Sequence, residues 1–404
     1  MHQVIASQAV VLPTDDGGLT VGPATLHVDG PLLTAVEPGV APGADVLPGL
    51  LAPAFVNAHT HLSMSAFRGI GGLAAMRGNV VEDLYYRLES SLTAEEVSAF
   101  SRMAIGESLL AGVGTVWDHY YFGRAVADAC AASGITAVVA PTLQDLSGPG
   151  VRMLDAQLDA TLEIAADAGL REAGVVAALG PHATDTVSAD LWRRVADVAA
   201  THALPLHLHA AQSIEEYDRA RERHGTTPIR WLRGEGWLDA APSALLVHAL
   251  YADRADLEGL DPARVALGFC PASQIQYCFP AYTRGWRALG QRVVIGTDCG
   301  ACNDGMNVQQ ELRMTASGPL FGVVADPAFT DFWRGDAAAA QRVSARRTAL
   351  LAESEVTPAE LLQMVLERPG TLHPGLPVGA IRPGYRANLV LYDLEHPCFW
   401  PGSD

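Results

Sequence analysis

The sequence predicts an α/β protein: a (β/α)8 TIM barrel with a small β-sandwich-like domain formed by both chain termini. Three observations predict this fold class. Eight apolar segments rich in β-branched residues end in polar residues, and helical patterns lie between them. Short strand-like pieces without a helical period lie near both ends of the chain. Alternating strands and helical crossovers are typical of a parallel sheet that closes into a barrel.

The barrel strands are predicted from the apolar runs. The intervals between the runs are long enough for a helical crossover, so neighbouring strands are expected to be parallel. The runs lie near residues 53–61, 112–118, 135–143, 174–182, 204–211, 243–250, 265–271 and 292–300. The barrel is therefore predicted to occupy residues 51–374.

Helix start signals support these crossovers. Thr93 and Glu96 form the pattern of a capping box, which predicts a helix that continues to about Leu110. Ser188 stands before another helical pattern. Thr357 precedes a proline at the first position of a helix beyond the last barrel strand, and this helix is expected to cover the barrel.

The two chain ends, residues 1–50 and 375–404, are predicted to form the small β domain together. Strand-like pieces at 3–12 and 24–30 alternate with turns rich in glycine and proline. The last part of the chain predicts two strands joined by a turn at Pro383-Gly384. We therefore expect the two ends to pair.

Charge and hydropathy exclude several classes of partner. The chain of 404 residues carries 45 acidic and 27 basic residues, and its formal charge of −18 repels phosphate backbones and anionic lipid surfaces. Positions 1–14 lack the pattern of a signal peptide, and no apolar stretch approaches the ~20 residues of a membrane-spanning helix. We predict a cytoplasmic protein that binds neither nucleic acid nor membranes.

The six cysteines are sparse for this length, which favours free thiols in a reducing compartment over a disulfide framework. They lie at positions 130, 270, 278, 299, 302 and 398. Cys299 and Cys302 form a CxxC pair, but a structural zinc site needs two further ligands at similar spacing and a redox pair usually opens a helix. We interpret this pair as a coincidence within a loop.

Histidine and carboxylate side chains stand at the ends of several predicted strands. His59 and His61 are two residues apart, so both side chains leave the same face of their strand. For such a pair alone, hydrogen bonding to backbone or water would be an equally good explanation. His209, His248 and Asp298 close the fifth, sixth and eighth strands. Because catalytic groups of this barrel gather at the carboxyl ends of its strands, the set predicts a hydrolytic site for Zn²⁺ or Fe²⁺.

Motifs extend along nearly the whole chain, from LPGLLAPAFVNAHTHLSMSAFRG through GVGTVWDHYYF, LGPHA, LPLHLHAAQS, LLVHAL, CPASQ and VVIGTD to IRPGYRANLVLYD. Together they resemble the amidohydrolase superfamily, in the branch of S-adenosylhomocysteine and methylthioadenosine deaminases, guanine and 8-oxoguanine deaminases, and triazine hydrolases. The resemblance implies one divalent metal ion, zinc with iron as the alternative, held by His59, His61, His209 and Asp298. It also implies that His248 polarises a bound water and that Asp298 accepts the proton of this water.

The resemblance further implies groups that contact the substrate. His182 matches a substrate-contacting histidine of the nucleoside deaminases, although a histidine that only caps the fourth strand is an equally simple explanation. Glu89 lies near a glutamate that binds a ribose in those enzymes. Gln212 stands where they have the glutamate that protonates a ring nitrogen. A glutamine amide can form hydrogen bonds with a substrate, but it cannot transfer a proton.

These observations predict a metal-dependent hydrolase that deaminates an amino-substituted N-heterocycle of purine, pyrimidine, pterin or triazine type. Gln212 leaves a second reaction open, triazine-type dechlorination or hydrolysis of a cyclic amide, because better leaving groups need less help from an acid. A third hypothesis is a non-catalytic relative that keeps the metal and the pocket for binding. The expected partner is a small molecule, and the resemblance implies a homo-oligomer.

Overall fold

The computed structural model describes residues 2–70, 78–277, 281–324, 327–354 and 356–400. Cys278 and residues 401–404 of the predicted terminal domain lie outside these ranges. Within the ranges, no helix combines the length and the apolar character that a membrane crossing requires.

The strands of the described residues belong to three sheets. In chain order they are β1 (His2–Pro13), β2 (Leu19–Asp29), β3 (Leu32–Pro38), β4 (Asp45–Val46), β5 (Leu50–Pro53), β6 (Phe55–His61), β7 (Val113–Tyr120), β8 (Thr136–Leu143), β9 (Val175–Ala177), β10 (Gly180–Pro181), β11 (Leu206–Ala210), β12 (Ala244–His248), β13 (Val265–Phe269), β14 (Arg292–Ile295), β15 (Asp298–Cys299) and β16 (Leu389–Tyr392). Two parallel sheets form the centre of the chain. The first has the order β10-β8-β7-β6-β15 with β9 also paired to β8, and the second has the order β11-β12-β13-β14.

The parallel strands coincide with the eight predicted segments, but they form two sheets instead of the single closed barrel that the sequence predicts. The eighth segment is interrupted at Gly296, whose backbone packs so closely on His59 that an added Cβ would lie 2.7 Å from the His59 amide nitrogen. The fourth segment is divided into β9 and β10. Among the described residues, one isolated bridge between Leu179 and Leu206 joins the first sheet to the second.

Helices connect the parallel strands and follow them. They are α1 (Tyr86–Glu89), α2 (Ala94–Leu110), α3 (Gly123–Ser133), α4 (Leu154–Ala166), α5 (Ala168–Ala173), α6 (Ala189–His202), α7 (Ile214–His224), α8 (Pro228–Gly234), α9 (Trp237–Ala240), α10 (Arg254–Glu258), α11 (Pro271–Gln276), α12 (Thr283–Ala288), α13 (Gly300–Asn303), α14 (Val308–Val324), α15 (Pro327–Trp333), α16 (Ala339–Ser354), α17 (Pro358–Gln363) and α18 (Glu367–Gly370). Short 3₁₀ turns occupy Leu62–Phe67, Pro149–Arg152 and Pro397–Phe399, and a π turn occupies Val81–Tyr85.

The predicted helix starts are confirmed. The Thr93 hydroxyl accepts a hydrogen bond from the Glu96 amide at 3.3 Å and the Glu96 carboxylate accepts one from the Thr93 amide at 2.9 Å, so a capping box begins α2. Ser188 caps α6 and Thr357 caps α17 in the same way through their hydroxyl oxygens. These caps fix the residues at which α2, α6 and α17 begin.

A further sheet joins the two ends of the described chain. Its order is β16-β5-β1-β2-β3, with β4 also paired to β1. The predicted turn at Pro383-Gly384 is present, but the predicted strand before this turn is not formed. In that segment the amide of Val378 donates to the carbonyl of Gly370 at 3.0 Å, so its hydrogen bond goes to the end of α18 and not to a strand. The domain division at residues 50 and 375 stays a prediction.

Candidate metal centre

The four predicted ligands and His248 lie together at the carboxyl ends of the parallel strands. His59 and His61 end β6, His209 lies in β11, His248 ends β12 and Asp298 begins β15. Oδ1 of Asp298 is 3.6 Å from Nε2 of His61 and 3.8 Å from Nε2 of His59. Its Oδ2 is 3.9 Å from Nε2 of His248. We call His59, His61, His209 and Asp298 the candidate metal site.

Backbone conformation helps to aim two of these side chains. His248 has a φ of 77° and Asp298 a φ of 60°, both in the left-handed region that residues with a Cβ rarely adopt. His248 is the last residue of β12, and Asp298 is the first residue of β15, where it pairs with Thr60 of β6. Strained backbone of this kind is concentrated at functional sites, where the surrounding structure holds it in place.

The hydrogen bonds of two histidines determine which ring nitrogen faces the site. Nδ1 of His61 contacts the backbone carbonyl of His119, and Nδ1 of His209 contacts that of His182 at 3.0 Å. A carbonyl only accepts, so both Nδ1 atoms carry hydrogen and both Nε2 atoms present lone pairs. These two Nε2 atoms lie 3.3 Å apart. Facing lone pairs repel one another, and a cation that binds both would remove this repulsion.

The third histidine has a matching arrangement. Nδ1 of His59 lies 2.8 Å from Nε2 of His207, and Nε2 of His59 is buried with no hydrogen-bond partner among the described residues. Burial lowers the pKa of His59 and His209 well below its ordinary value, so both imidazoles are neutral. Three neutral imidazoles and one carboxylate are a donor set that suits a divalent zinc or iron ion. The residues therefore fit the ion that the sequence predicts.

The candidate metal site forms the floor of a pocket whose walls are largely aromatic. The tyrosines that line this pocket are Tyr85, Tyr86, Tyr120, Tyr121 and Tyr277. Apolar side chains of Met64, Val80 and Leu250 add to the same walls. Such a lining suits a flat, apolar ligand with a few polar groups at one edge.

All three predicted substrate-contacting residues line this pocket. Burial lowers the pKa of His182 to about 3, and its Nδ1 lies 2.9 Å from the Thr186 hydroxyl. The backbone N–H of Gln212 donates a hydrogen bond to Oε2 of Glu216 at 2.8 Å, which fixes the position of this residue. Burial raises the pKa of Glu89 to about 8, so this carboxyl group is largely neutral at pH 7.

Sequence reasoning missed several polar side chains at the site, two of which contact His59 or His248. Gln274 lines the pocket, its side-chain nitrogen is 3.4 Å from Nδ1 of His248, and its oxygen is buried without a partner among the described residues. His207 is the other, because its side chain supports His59 from outside the pocket. The first histidine of the LHLH motif was a visible signal for His207. No comparable pattern distinguishes Gln274 within CPASQIQY.

Cys299 and Cys302 do not lie within a loop, so the interpretation of this pair as a coincidence within a loop is wrong. Cys299 ends β15 and caps α13, which contains Cys302, so the pair opens a short helix. Their sulfur atoms lie 2.8 Å apart and both residues line the pocket. Burial raises the pKa of both thiols. The four described cysteines other than Cys398 are buried, and each of the five described ones is a free thiol.

Comparisons with known proteins agree with this geometry. The chain is 28% identical over 358 residues to a 5-methylthioadenosine/S-adenosylhomocysteine deaminase of Aquifex aeolicus, which covers 87% of this chain and 75% of the relative. A zinc-bound adenosine deaminase of Xanthomonas campestris matches with a TM-score of 0.76 at 20% identity, covering 100% of this chain and 87% of the other.

A triazine hydrolase of Arthrobacter aurescens matches with a TM-score of 0.77 at 20% identity, covering 100% of this chain and 89% of the other. At these identities the structural likeness establishes a shared fold. The family model described as the amidohydrolase family matches residues 50–401, which is most of the chain. The predicted family is therefore confirmed: the named relative is a deaminase of the suspected branch, and the chain belongs to the amidohydrolase family.

Proposed function

We propose that this amidohydrolase is a metal-dependent enzyme that deaminates an amino-substituted N-heterocycle of purine, pyrimidine, pterin or triazine type. One observation carries the proposal: imidazole lone pairs and the Asp298 carboxylate converge on one point at the floor of an aromatic pocket. The names of the deaminase relatives support the reaction class. A cytoplasmic location and a homo-oligomer stay predictions.

We propose His59, His61, His209 and Asp298 as the ligands of one divalent ion, zinc with iron as the alternative. The family likeness to a zinc-bound structure and the donor set support this assignment. Such an ion lowers the pKa of a bound water and so supplies a nucleophile near neutral pH.

Asp298 and His248 would share the handling of protons. Oδ1 of Asp298 faces His59 and His61, whereas Oδ2, the other oxygen of the same carboxylate, faces Nε2 of His248. This second oxygen is free to accept a proton from the nucleophilic water and to return it to the leaving amine. Burial lowers the pKa of His248, so the ring is neutral and can hold the water by a hydrogen bond.

Gln274 would fix the orientation of His248. Its side-chain amide nitrogen lies 3.4 Å from Nδ1 of His248, and an amide N–H can only donate. Nδ1 then accepts, so the hydrogen of the neutral ring is on Nε2 and points toward Asp298. We propose Gln274 as a positioning residue for this histidine.

The pocket walls would select the substrate. Tyrosine rings on several sides suit a planar heterocycle, and His182 and Gln212 would form hydrogen bonds with its edge. Glu89 lines both this pocket and the groove beside it, so it would contact a substituent on the ring.

Gln212 favours a second candidate reaction on the same site. An amide cannot protonate a ring nitrogen, so displacement of a better leaving group is easier here than release of ammonia. Triazine-type dechlorination and hydrolysis of a cyclic amide both meet this condition. The fold shared with a triazine hydrolase supports this alternative.

A substrate panel tests the proposal directly. Zinc-loaded and iron-loaded protein would be incubated with purines, pyrimidines, pterins, triazines and cyclic amides, and release of ammonia, amine and chloride would be measured. Deamination of any heterocycle, abolished in Asp298→Asn, supports the first reaction. Chloride release or ring opening without ammonia supports the second. No turnover of any member by either form would overturn both.

Gln212→Glu then separates the two reactions. A general acid contributes about 10²- to 10⁴-fold, so the variant is expected to raise ammonia release at least ~10-fold if deamination is limited by proton supply. Gln212→Met is the matched control, because it alters the same side chain of the pocket without supplying a carboxyl group. Loss of the native reaction in Gln212→Glu without any gain in deamination favours the alternative.

A further inference from the structure

Two thiols stand side by side in the wall of the pocket, next to the candidate metal site. Sγ of Cys299 lies 2.8 Å from Sγ of Cys302. The Cys299 amide donates to Sγ of Cys302 at 3.3 Å, and that thiol donates to the Cys299 carbonyl at 3.2 Å. Both residues are buried and both line the pocket. The sulfurs are therefore held together by the backbone and can be reached from the pocket.

Asp298 completes a group of three donors. One carboxylate oxygen of Asp298 and the two sulfurs all lie within 4.8 Å of one another. Donor atoms at this spacing can contact one ion without a movement of the backbone. Two sulfur ligands select soft cations, whereas the histidine ligands opposite suit harder ones.

We propose that Cys299, Cys302 and Asp298 form a second cation site, which takes a thiophilic divalent ion such as cadmium or zinc in excess of the first equivalent. Binding replaces each S–H bond by a sulfur–metal bond and releases two protons to solvent. A bound cation deprotonates a coordinating thiol, so the thiols need not be ionised beforehand. The reaction involves no oxidant or reductant.

The site has a consequence for turnover. Asp298 belongs both to this group and to the candidate metal site. A soft cation held by the thiols would engage the carboxylate that we propose as the proton acceptor. Thiophilic cations should therefore inhibit the enzyme, and the thiol pair should set the concentration at which they do so.

The other thiols offer matched controls. Cys270 is buried and lies in a separate group with His248 and Asp298, where it contributes a single sulfur. Cys130 is buried in the core away from the pocket, and Cys398 is exposed. A cation bound to the Cys299/Cys302 pair differs from one bound at these positions by having two sulfur ligands.

The test is a cadmium titration of the full chain, first loaded with one equivalent of zinc and kept reduced by a phosphine. Metal content by elemental analysis and thiolate-to-cadmium absorption are measured without substrate. We expect one further ion per chain with the absorption of two thiolates. Cys299→Ser and Cys302→Ser should halve that absorption and weaken binding by ~10-fold or more. Cys130→Ser, Cys270→Ser and Cys398→Ser should bind as the parent does.

X-ray absorption of the cadmium-loaded parent gives a measurement that needs no variant. Two sulfur neighbours are expected. One sulfur neighbour or none would overturn the proposal. So would an absorption in Cys299→Ser and Cys302→Ser equal to that of the parent, or a loss of absorption in Cys270→Ser. Because these readouts involve no turnover, failure of the proposed reaction would leave them unchanged, and the two ideas can fail separately.

Discussion

His207 should control metal affinity although it does not belong to the candidate metal site. When Nε2 of His59 binds a metal, Nδ1 of that ring carries the hydrogen and donates to Nε2 of His207, which lies 2.8 Å away in a fully buried ring. His207→Leu removes this acceptor and keeps an apolar side chain of similar bulk. The buried N–H of His59 then has no partner, which costs about 1–3 kcal/mol.

The same change should weaken metal binding by about 10- to 100-fold, because an outer hydrogen bond orients a ligating imidazole and raises its basicity. This loss corresponds to about 1.4–2.8 kcal/mol at 1.4 kcal/mol for each factor of ten. His207→Gln should recover much of it, since the amide oxygen of glutamine can also accept from His59.

Zinc affinity would be measured by competition with a chromogenic chelator, together with urea unfolding of the metal-free protein. His373→Leu is the control, because His373 is partly buried and also forms a side-chain hydrogen bond, donating from Nε2 to the Ala177 carbonyl at 3.2 Å. Both leucine variants should lower the free energy of unfolding, but only His207→Leu should lower zinc affinity. Equal zinc affinities of His207→Leu, His373→Leu and the parent would refute the reasoning.

Three further predictions concern the metal, the pocket acid and the pocket wall. Chelation should lower the melting temperature, since an ion at 100 times its Kd contributes about 2.7 kcal/mol to the free energy of unfolding; an unchanged melting curve after verified metal removal would contradict the site. Burial raises the pKa of Glu89 to about 8, so the carboxyl is neutral below that pH and ionised above it. If Glu89 accepts hydrogen bonds from substrate hydroxyls, KM should fall as the pH rises through about 8, and a KM trend that persists in Glu89→Gln would speak against this role. Arg219 pairs with Glu82 and with Asp185 at 2.9 Å, tying the segment before α1 to α7. Arg219→Met should raise KM and also lower the free energy of unfolding by about 1–3 kcal/mol, because Asp185 is buried and would lose its charged partner. Arg193→Met, at an exposed pair, should change neither quantity, and an unchanged KM in Arg219→Met would contradict this role.

The sequence by itself determined the parts of this protein that depend on local pattern. Spacing of two residues along a strand places His59 and His61 on one face whatever the rest of the chain does. The capping box at Thr93 is likewise a contact between near neighbours, and it begins α2 as predicted. Because parallel strands present their carboxyl ends at one edge, His209 and Asp298 could be assigned to the same site before any distance was known.

Only the tertiary structure decided what depends on contacts between distant segments. His207 supports His59 across 148 positions of the chain, and Gln274 of α11 meets His248 at the end of β12, with α10 and β13 between them in the chain. Cys299 and Cys302 were predicted to lie in a loop, and this prediction was wrong because a CxxC pattern does not reveal whether a helix begins there.

The arrangement of the strands shows the same limit. The close approach of Gly296 to the backbone of His59 interrupts the eighth strand, and Val378 gives its hydrogen bond to Gly370 instead of to a strand partner. Neither the close approach nor this hydrogen bond is visible in a local sequence pattern. Periodicity predicts which residues form strands and which face is buried, but the partner that each backbone group finds is decided by the packing of the whole chain.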